Sequence, residues 1–150
     1  MRCALQLAAK GANCGEVPVG AVVVLNDEII GSGFNCPIST SDPTAHAEVI
    51  ALRAACAKIG NYRLPQARLY VTLEPCTMCA GMLIHARISE LIFGAFEHRS
   101  GAVCSCSQVL KQNFHNHQVL VKSGVLQQEC AQILQDFFRN KREMQKAKLS

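Results

Sequence analysis

His46 and Glu48, together with Cys76 and Cys79 further along, are the residues of this chain best able to do chemistry. An imidazole and two thiols are the donors that a borderline-soft cation such as zinc takes, and Glu48 is a carboxylate close to the histidine. Alone, a C-x-x-C fits a redox dithiol, half of a structural zinc site or two unrelated core cysteines. The combination says more, because both segments stand where helices are expected to begin. A helix N-terminus supplies free N–H groups and partial positive charge, which favour a thiolate. A closed structural zinc site takes four protein donors, whereas a catalytic one takes three and leaves a position for water. His46, Cys76 and Cys79 make three. Zinc brings the pKa of its water down to roughly 7, and Glu48 is then near enough to take that water's proton and pass it to a leaving group. The competing reading is a zinc knuckle whose fourth ligand is Cys104, Cys106, His115 or His117. No second C-x-x-C accompanies the first, and the two-residue spacings of those pairs suit neither a knuckle nor a helical face. Their plainer reading is small core thiols and loop imidazoles.

The elements that must position these residues can be read from the pattern. Asp42-Pro43-Thr44 offers an N-cap side chain and a first-turn proline, predicting a helix from Pro43 to about Gly60 that carries His46 and Glu48 in its first two turns. Only Glu48, Arg53 and Lys58 are charged in it, so it is expected to be sandwiched rather than exposed. Leu69 to Leu73 reads as a strand stopped by Glu74-Pro75, followed by a helix from Cys76 to His85 with Cys76 and Cys79 on one face. Met1 to Cys14 reads as an alanine-rich amphipathic helix, and Val19 to Leu25 as a strand buried on both faces. Asn26-Asp27 is a hairpin turn into Glu28 to Asn35. Further strands are expected over Arg68 to Leu73, Glu90 to Gly94 and Gln118 to Val121. Leu126, Cys130, Ile133, Leu134, Phe137 and Phe138 follow the spacing of a helix packed on a core. The alternation of strands and helices predicts an α/β fold, a three-layer α/β/α sandwich around a central mixed five-stranded sheet.

At 150 residues, about half of them apolar, the chain is expected to form one domain. Nine cysteines without a secretory leader point to a reducing compartment, and no run approaches the roughly 18 apolar residues of a membrane span. The expectation is a cytoplasmic protein. From residue 139 to the end, Arg139, Lys141, Arg142, Lys146 and Lys148 face only Glu143, giving +4, which is the formal net charge of the whole chain. A short basic run is often a solvated face. Its other reading is a contact for nucleic-acid phosphates, where charge supplies affinity without sequence information.

Several longer stretches carry a resemblance. They include Glu16-Val17-Pro18-Val19-Gly20-Ala21, Asn35, Asp42-Pro43-Thr44-Ala45-His46-Ala47-Glu48, Asn61-Tyr62-Arg63-Leu64, Pro75-Cys76-Thr77-Met78-Cys79-Ala80-Gly81-Met82, Ile84-His85-Ala86-Arg87-Ile88, Phe93-Gly94-Ala95 and Asp136-Phe137-Phe138-Arg139. The zinc motif itself, H-x-E with P-C-x-x-C, is common to the zinc base deaminases. With its flanking stretches the chain resembles the bacterial tRNA-specific adenosine deaminases of the cytidine deaminase-like superfamily. The resemblance implies one zinc-dependent deaminase domain over residues 1–150, with 139–150 a basic C-terminal helical extension. It implies conversion of adenosine to inosine at the wobble position (A34) of a tRNA anticodon stem-loop, in a homodimer whose active sites lie near the subunit interface. His46, Cys76 and Cys79 would bind one Zn²⁺ per subunit, zinc-bound hydroxide would attack adenine C6, and Glu48 would protonate N1 and then the departing ammonia. Asn35 matches a base-contacting position, although as a bare residue it equally suits a strand-end turn. Val19, in Pro18-Val19-Gly20-Ala21, and Pro75, with the main-chain N–H groups from Glu74 to Cys76, would frame the pocket. His85 and Asn116-His117 would reach flanking nucleotides, with capping or burial as the plainer reading of each histidine. Arg139 and Arg142 would contact phosphates. The chain departs from the family pattern at Glu97-His98-Arg99-Ser100-Gly101-Ala102, where Glu97 lengthens an expected aspartate and Arg99 replaces a lysine, so ribose or backbone contacts there would differ. Cys104 stands where glycine is common. Two other readings share parts of this pattern: a deaminase of free guanine or cytosine, which would not need the basic tail, and a non-catalytic zinc-stabilised RNA-binding module.

Overall fold

A computed structural model describes all 150 residues. Its centre is a five-stranded mixed sheet of β1 (Gly20–Leu25), β2 (Glu28–Phe34), β3 (Arg68–Leu73), β4 (Glu90–Ala95) and β5 (Leu120–Lys122), in the order β2-β1-β3-β4-β5. β1 runs antiparallel to both β2 and β3, while β3, β4 and β5 are parallel. Asn26 and Asp27 turn the β1–β2 hairpin with φ of 50° and 62°, the left-handed pair that matches strand twist in a two-residue turn. β5 is short, exposed and at the sheet edge.

Helices α1 (Arg2–Asn13), α2 (Pro37–Thr40), α3 (Ala47–Ile59), α4 (Thr77–His85) and α5 (Gln127–Leu149) complete the chain. Glycines in the strands show which helix lies on which face, because each allows a helix to approach the sheet backbone. Gly20 lies under Ala4 and Ala8 of α1, and Gly94 under Cys130 of α5. Gly31 and Gly33 lie under Ile50, Ala51 and Ala55 of α3. The main core fills that second face, where Ala51 and Leu52 of α3 and Leu83 and Ile84 of α4 meet Leu69, Val71, Leu91 and Phe93 of the sheet. The three-layer α/β/α sandwich expected from the sequence is thus present.

Three local expectations differ. α3 begins at Ala47, not Pro43, with His46 as its N-cap residue. Asp42 does not cap a helix: its carboxylate accepts the N–H and hydroxyl of Thr44 at 2.8 and 2.7 Å, closing a local turn that competes with helix initiation. α3 is also not sandwiched along its length, since Arg53, Ala54, Ala57 and Lys58 are exposed in its second half. Finally, of the apolar residues of α5 only Cys130 is buried, and Phe138 is 40% exposed. α5 continues as one helix of about 35 Å at 1.5 Å per residue, with every residue from Phe138 onward exposed.

The seating of α1 on β1 yields a direct prediction. A Cβ on Gly20 would stand 1.9 Å from the Ala4 carbonyl oxygen and 2.7 Å from the Ala8 nitrogen, both backbone atoms that cannot rotate away. Gly20→Ala is expected to destabilise the fold by at least about 1–3 kcal/mol, read as a lower denaturant midpoint. An unchanged midpoint would mean that α1 does not pack as described.

Candidate active site

Strand directions bring four loops to one edge of the sheet. β2, β3 and β4 end there and β1, running the other way, begins there. Val19 before β1, Asn35 after β2, Leu73 to Cys76 at the end of β3 and Glu97 after β4 therefore converge, at the carboxyl ends of parallel strands where α/β sheets place their ligands. α3 and α4 also begin there, with His46 and Cys76 as their N-cap residues. Val17, Val19, Asn35, His46, Glu48, Leu73, Glu74, Cys76, Glu97 and Ser100 line a cavity of about 160 Å³.

The ligand atoms of His46, Cys76 and Cys79 all lie within 4.8 Å of one another, and no other set of three or more histidines, cysteines or carboxylates is so gathered. Bonds of about 2.0–2.1 Å to nitrogen and about 2.3 Å to sulfur, at tetrahedral angles, separate the two donor atoms by about 3.6 Å. Nδ1 of His46 stands 3.6 Å from Sγ of Cys76 and 3.7 Å from Sγ of Cys79, so the donor set fits one tetrahedral zinc ion. The electrostatics make the same point. Hydrogen bonds from the Cys79 thiol and from His46 bring the Cys76 thiol down to about 3, a ready thiolate. That thiolate, with burial and the nearby Glu48 charge, pushes Cys79 strongly up. The hydrogen bond to Cys76 holds the His46 imidazole up as well. Protein groups alone thus tolerate one thiolate here, and a divalent cation is what would allow two.

Two carboxylates line the cavity in opposite environments. Glu48 is buried in the first turn of α3, and burial raises its pKa, favouring a group that can carry a proton. Glu74 is equally buried, and burial alone would raise it too. Hydrogen bonds from the Ser105 hydroxyl and the N–H groups of Cys104, Ser105 and Glu97 outweigh that and hold it below the usual carboxylate range. The two environments push the carboxyl groups apart: burial holds Glu48 above the usual carboxylate range, and the loop donors hold Glu74 below it.

Of the residues singled out from the sequence, His46, Glu48, Cys76, Cys79, Asn35, Val19 and Glu97 come together at this cavity. Asn35 donates its backbone N–H to Val19 O and lines the cavity. The Pro75 ring is fully buried and its carbonyl accepts the Ala102 N–H, so it supports the wall from behind. His85 and Asn116 meet each other at a different cavity, with Gly81, Ile84, Arg87, Phe114 and His115. Arg142 lines a groove of about 490 Å³ that shares Val17, Leu73 and Glu97 with the catalytic cavity and passes Phe96, His98 and Phe138. Arg139 pairs with Asp136 at 2.7 Å. The four alternative fourth ligands stay outside the donor cluster. His115 and His117 donate to the carbonyls of Val109 and Ile88, as loop imidazoles do. Cys104 and Cys106 are exposed rather than core thiols: Cys104 turns its backbone N–H, not its thiol, onto Glu74, and the Cys106 thiol meets the His98 carbonyl. The sequence does not single out Val17, Leu73 or Ser100, nor the carboxylate of Glu74; an acid between a buried strand and a proline was the available signal.

A model of the MafB19-like deaminase family matches residues 1–142. The tRNA-specific adenosine deaminase of Haemophilus influenzae is 52% identical over 147 residues, spanning 97% of this chain and 85% of its own. That of Bacillus subtilis is 43% identical over 147 residues, spanning 98% and 91%. A solved structure from a study of A-to-I editing by tRNA:A34 deaminases at the wobble position of transfer RNA superposes with a TM-score of 0.87 at 44% identity, covering 89% of this chain and 97% of that one.

Metal content tests the donor set. Purified protein is expected to carry close to one divalent metal ion per chain by elemental analysis, and Cys76→Ser to carry far less. Equal metal in both would remove Cys76 from the set.

Proposed function

The chain belongs to the MafB19-like deaminase family, among the tRNA-specific adenosine deaminases, and from that premise we propose that it hydrolyses adenosine to inosine at the wobble position, A34, of a tRNA anticodon. The observation that carries the reading is a cavity of the order of one ring system, with the donor triad and the buried Glu48 at its wall. At about 160 Å³ it is well below the roughly 300–1,000 Å³ of sites that enclose drug-sized ligands, so the sugar and its neighbours stay outside. That suits a base splayed from an RNA loop, which is where single-stranded bases are recognised.

In this reading residues 1–150 act as one deaminase domain. His46, Cys76 and Cys79 hold Zn²⁺, which when bound supplies the Lewis acidity that makes water a nucleophile near neutral pH. Glu48 accepts a proton from the attacking water and delivers it to N1 of adenine. A second proton passes through the same carboxylate to the departing amino group, so that adenosine and water leave as inosine and ammonia. The Asn35 amide can donate to and accept from the purine edge. Val19 and Glu97 frame the ring, and Pro75 supports the wall behind them. The groove past Phe96, His98 and Phe138 to Arg142 suits flanking nucleotides, with aromatic faces for bases and a guanidinium for phosphate. Arg139, tied to Asp136, adds charge at a fixed place.

The remaining expectations belong to the same proposal. The chain acts as a homodimer, and exposed Phe114, 76% accessible beside His85 and Asn116, is an apolar residue that such an interface would cover. In that assembly His85 and Asn116 approach flanking nucleotides. No helix is long and apolar enough to cross a membrane. A tRNA substrate places the work in the cytoplasm.

Glu48→Ala is expected to fold and keep its metal while deamination of an A34 stem-loop falls by about 10²–10⁴-fold or more. Activity near wild type would end the reading. Replacing Arg142, Lys146 and Lys148 with Gln should weaken tRNA binding and flatten its logarithmic salt dependence by about 0.7–0.9 for each phosphate no longer neutralised. An unchanged slope would make the tail a solvated helix end.

A further inference from the structure

Glu74 is a buried charge with no cationic partner, 2% exposed at the end of β3. Its carboxylate is instead surrounded by donors from one loop. Oε1 accepts the N–H of Glu97 and the hydroxyl of Ser105, and Oε2 accepts the N–H groups of Val103, Cys104 and Ser105. Three successive backbone N–H groups turned onto one anion form a nest, the arrangement that proteins use to hold phosphate, here filled by the protein's own side chain. The loop closes around it: Gly101 N–H donates to Glu97 O, Cys106 N–H donates to Gly101 O, and Ala102 N–H donates to Pro75 O. Gly101 lets the loop close this tightly, since a Cβ there would stand 2.4 Å from the Glu74 carboxyl carbon and 2.5 Å from Glu97 O and the loop would have to shift. Glu97 and Ser100, on this loop, form the cavity wall contributed by the chain after β4.

We propose that Glu74 is a positioning residue, whose carboxylate gathers the 97–105 loop and so sets where Glu97 and Ser100 stand against a base seated over Glu48. This rests on the deaminase reading for its substrate, and goes beyond it by assigning the second carboxylate of the cavity. Both Glu74 oxygens are filled by hydrogen-bond donors, so it contributes through the loop and not by proton transfer. A displacement of about 1 Å at such a wall is enough to cost on the order of 10²-fold in turnover efficiency. Because the wall holds the base and not the reacting water, the cost falls on KM.

Two variants test this from opposite sides. Glu74→Gln replaces one acceptor oxygen by a donor that faces N–H groups, and Gly101→Ala pushes on the carboxylate while leaving it charged. Metal content, KM and kcat are measured on an A34 anticodon stem-loop, with backbone amide exchange followed over residues 97–105. The proposal expects one metal per chain in both, KM raised about tenfold or more, kcat within a few fold, and faster exchange in the loop. It expects Glu74→Asp, which keeps the anion, to recover part of the KM. Unchanged KM in folded protein overturns it, as does a fall in kcat with metal loss at normal KM, which would make Glu74 a support for Cys76 only. Should both variants fail to fold, Ser105→Ala removes one donor from an exposed loop position, and the same KM and exchange readouts decide with a smaller expected rise. If the wild-type protein deaminates no stem-loop, the deaminase reading fails, while loop exchange in the same variants still shows whether Glu74 holds the loop.

Discussion

Two thiols and an imidazole crowded within 4.8 Å need positive charge before more than one thiolate can exist there, and that requirement organises the rest of the molecule. Part of the charge comes from the fold. α3 and α4 both start at this point, each with one of the three donor residues as its N-cap, so two sets of free N–H groups and two positive dipole ends meet at the donors. To bring both helix starts to one place, the chain needs β1 antiparallel and β4 parallel to β3, with α3 packed closely over β2. Strand order, the glycines beneath the helices and the small residues of α3 are consequences of that convergence.

The same edge separates the jobs of two buried carboxylates. Glu48 lacks the loop N–H groups that surround Glu74, and burial raises its pKa. Glu74 sits among donors and stays charged. Neither role follows from residue type. Each follows from where backbone N–H groups point, which the β4-side loop decides.

Much of this was legible in the residues. The ligand triad and Glu48 stood out by type and spacing, β3 and the Asn26-Asp27 hairpin fall where local preference puts them, and the alternation of elements implied the layers. What was not legible depends on contacts between distant parts of the chain. Asp42 carries a helix-start signal but spends it on Thr44, two residues away. Glu74 finds its partners 23 to 31 residues later, beyond any local pattern. Phe138 keeps the spacing of a core residue, yet is 40% exposed along a groove beside Arg142, where the last residues of β3 and β4, Leu73 and Ala95, line the same groove. Spacing specified the helix, and tertiary packing specified which of its residues have something to pack against.

Metal-replete protein incubated with an A34-containing anticodon stem-loop, and separately with free guanine, cytidine and adenosine, decides whether this site deaminates an adenosine presented by a tRNA anticodon when inosine and ammonia are both followed. Inosine is expected at the wobble position with matching ammonia, and none from the free compounds. Ammonia released only from a free base or nucleoside would contradict it, assigning the same donor triad and Glu48 to small-molecule deamination and leaving the basic end of α5 without a phosphate to bind.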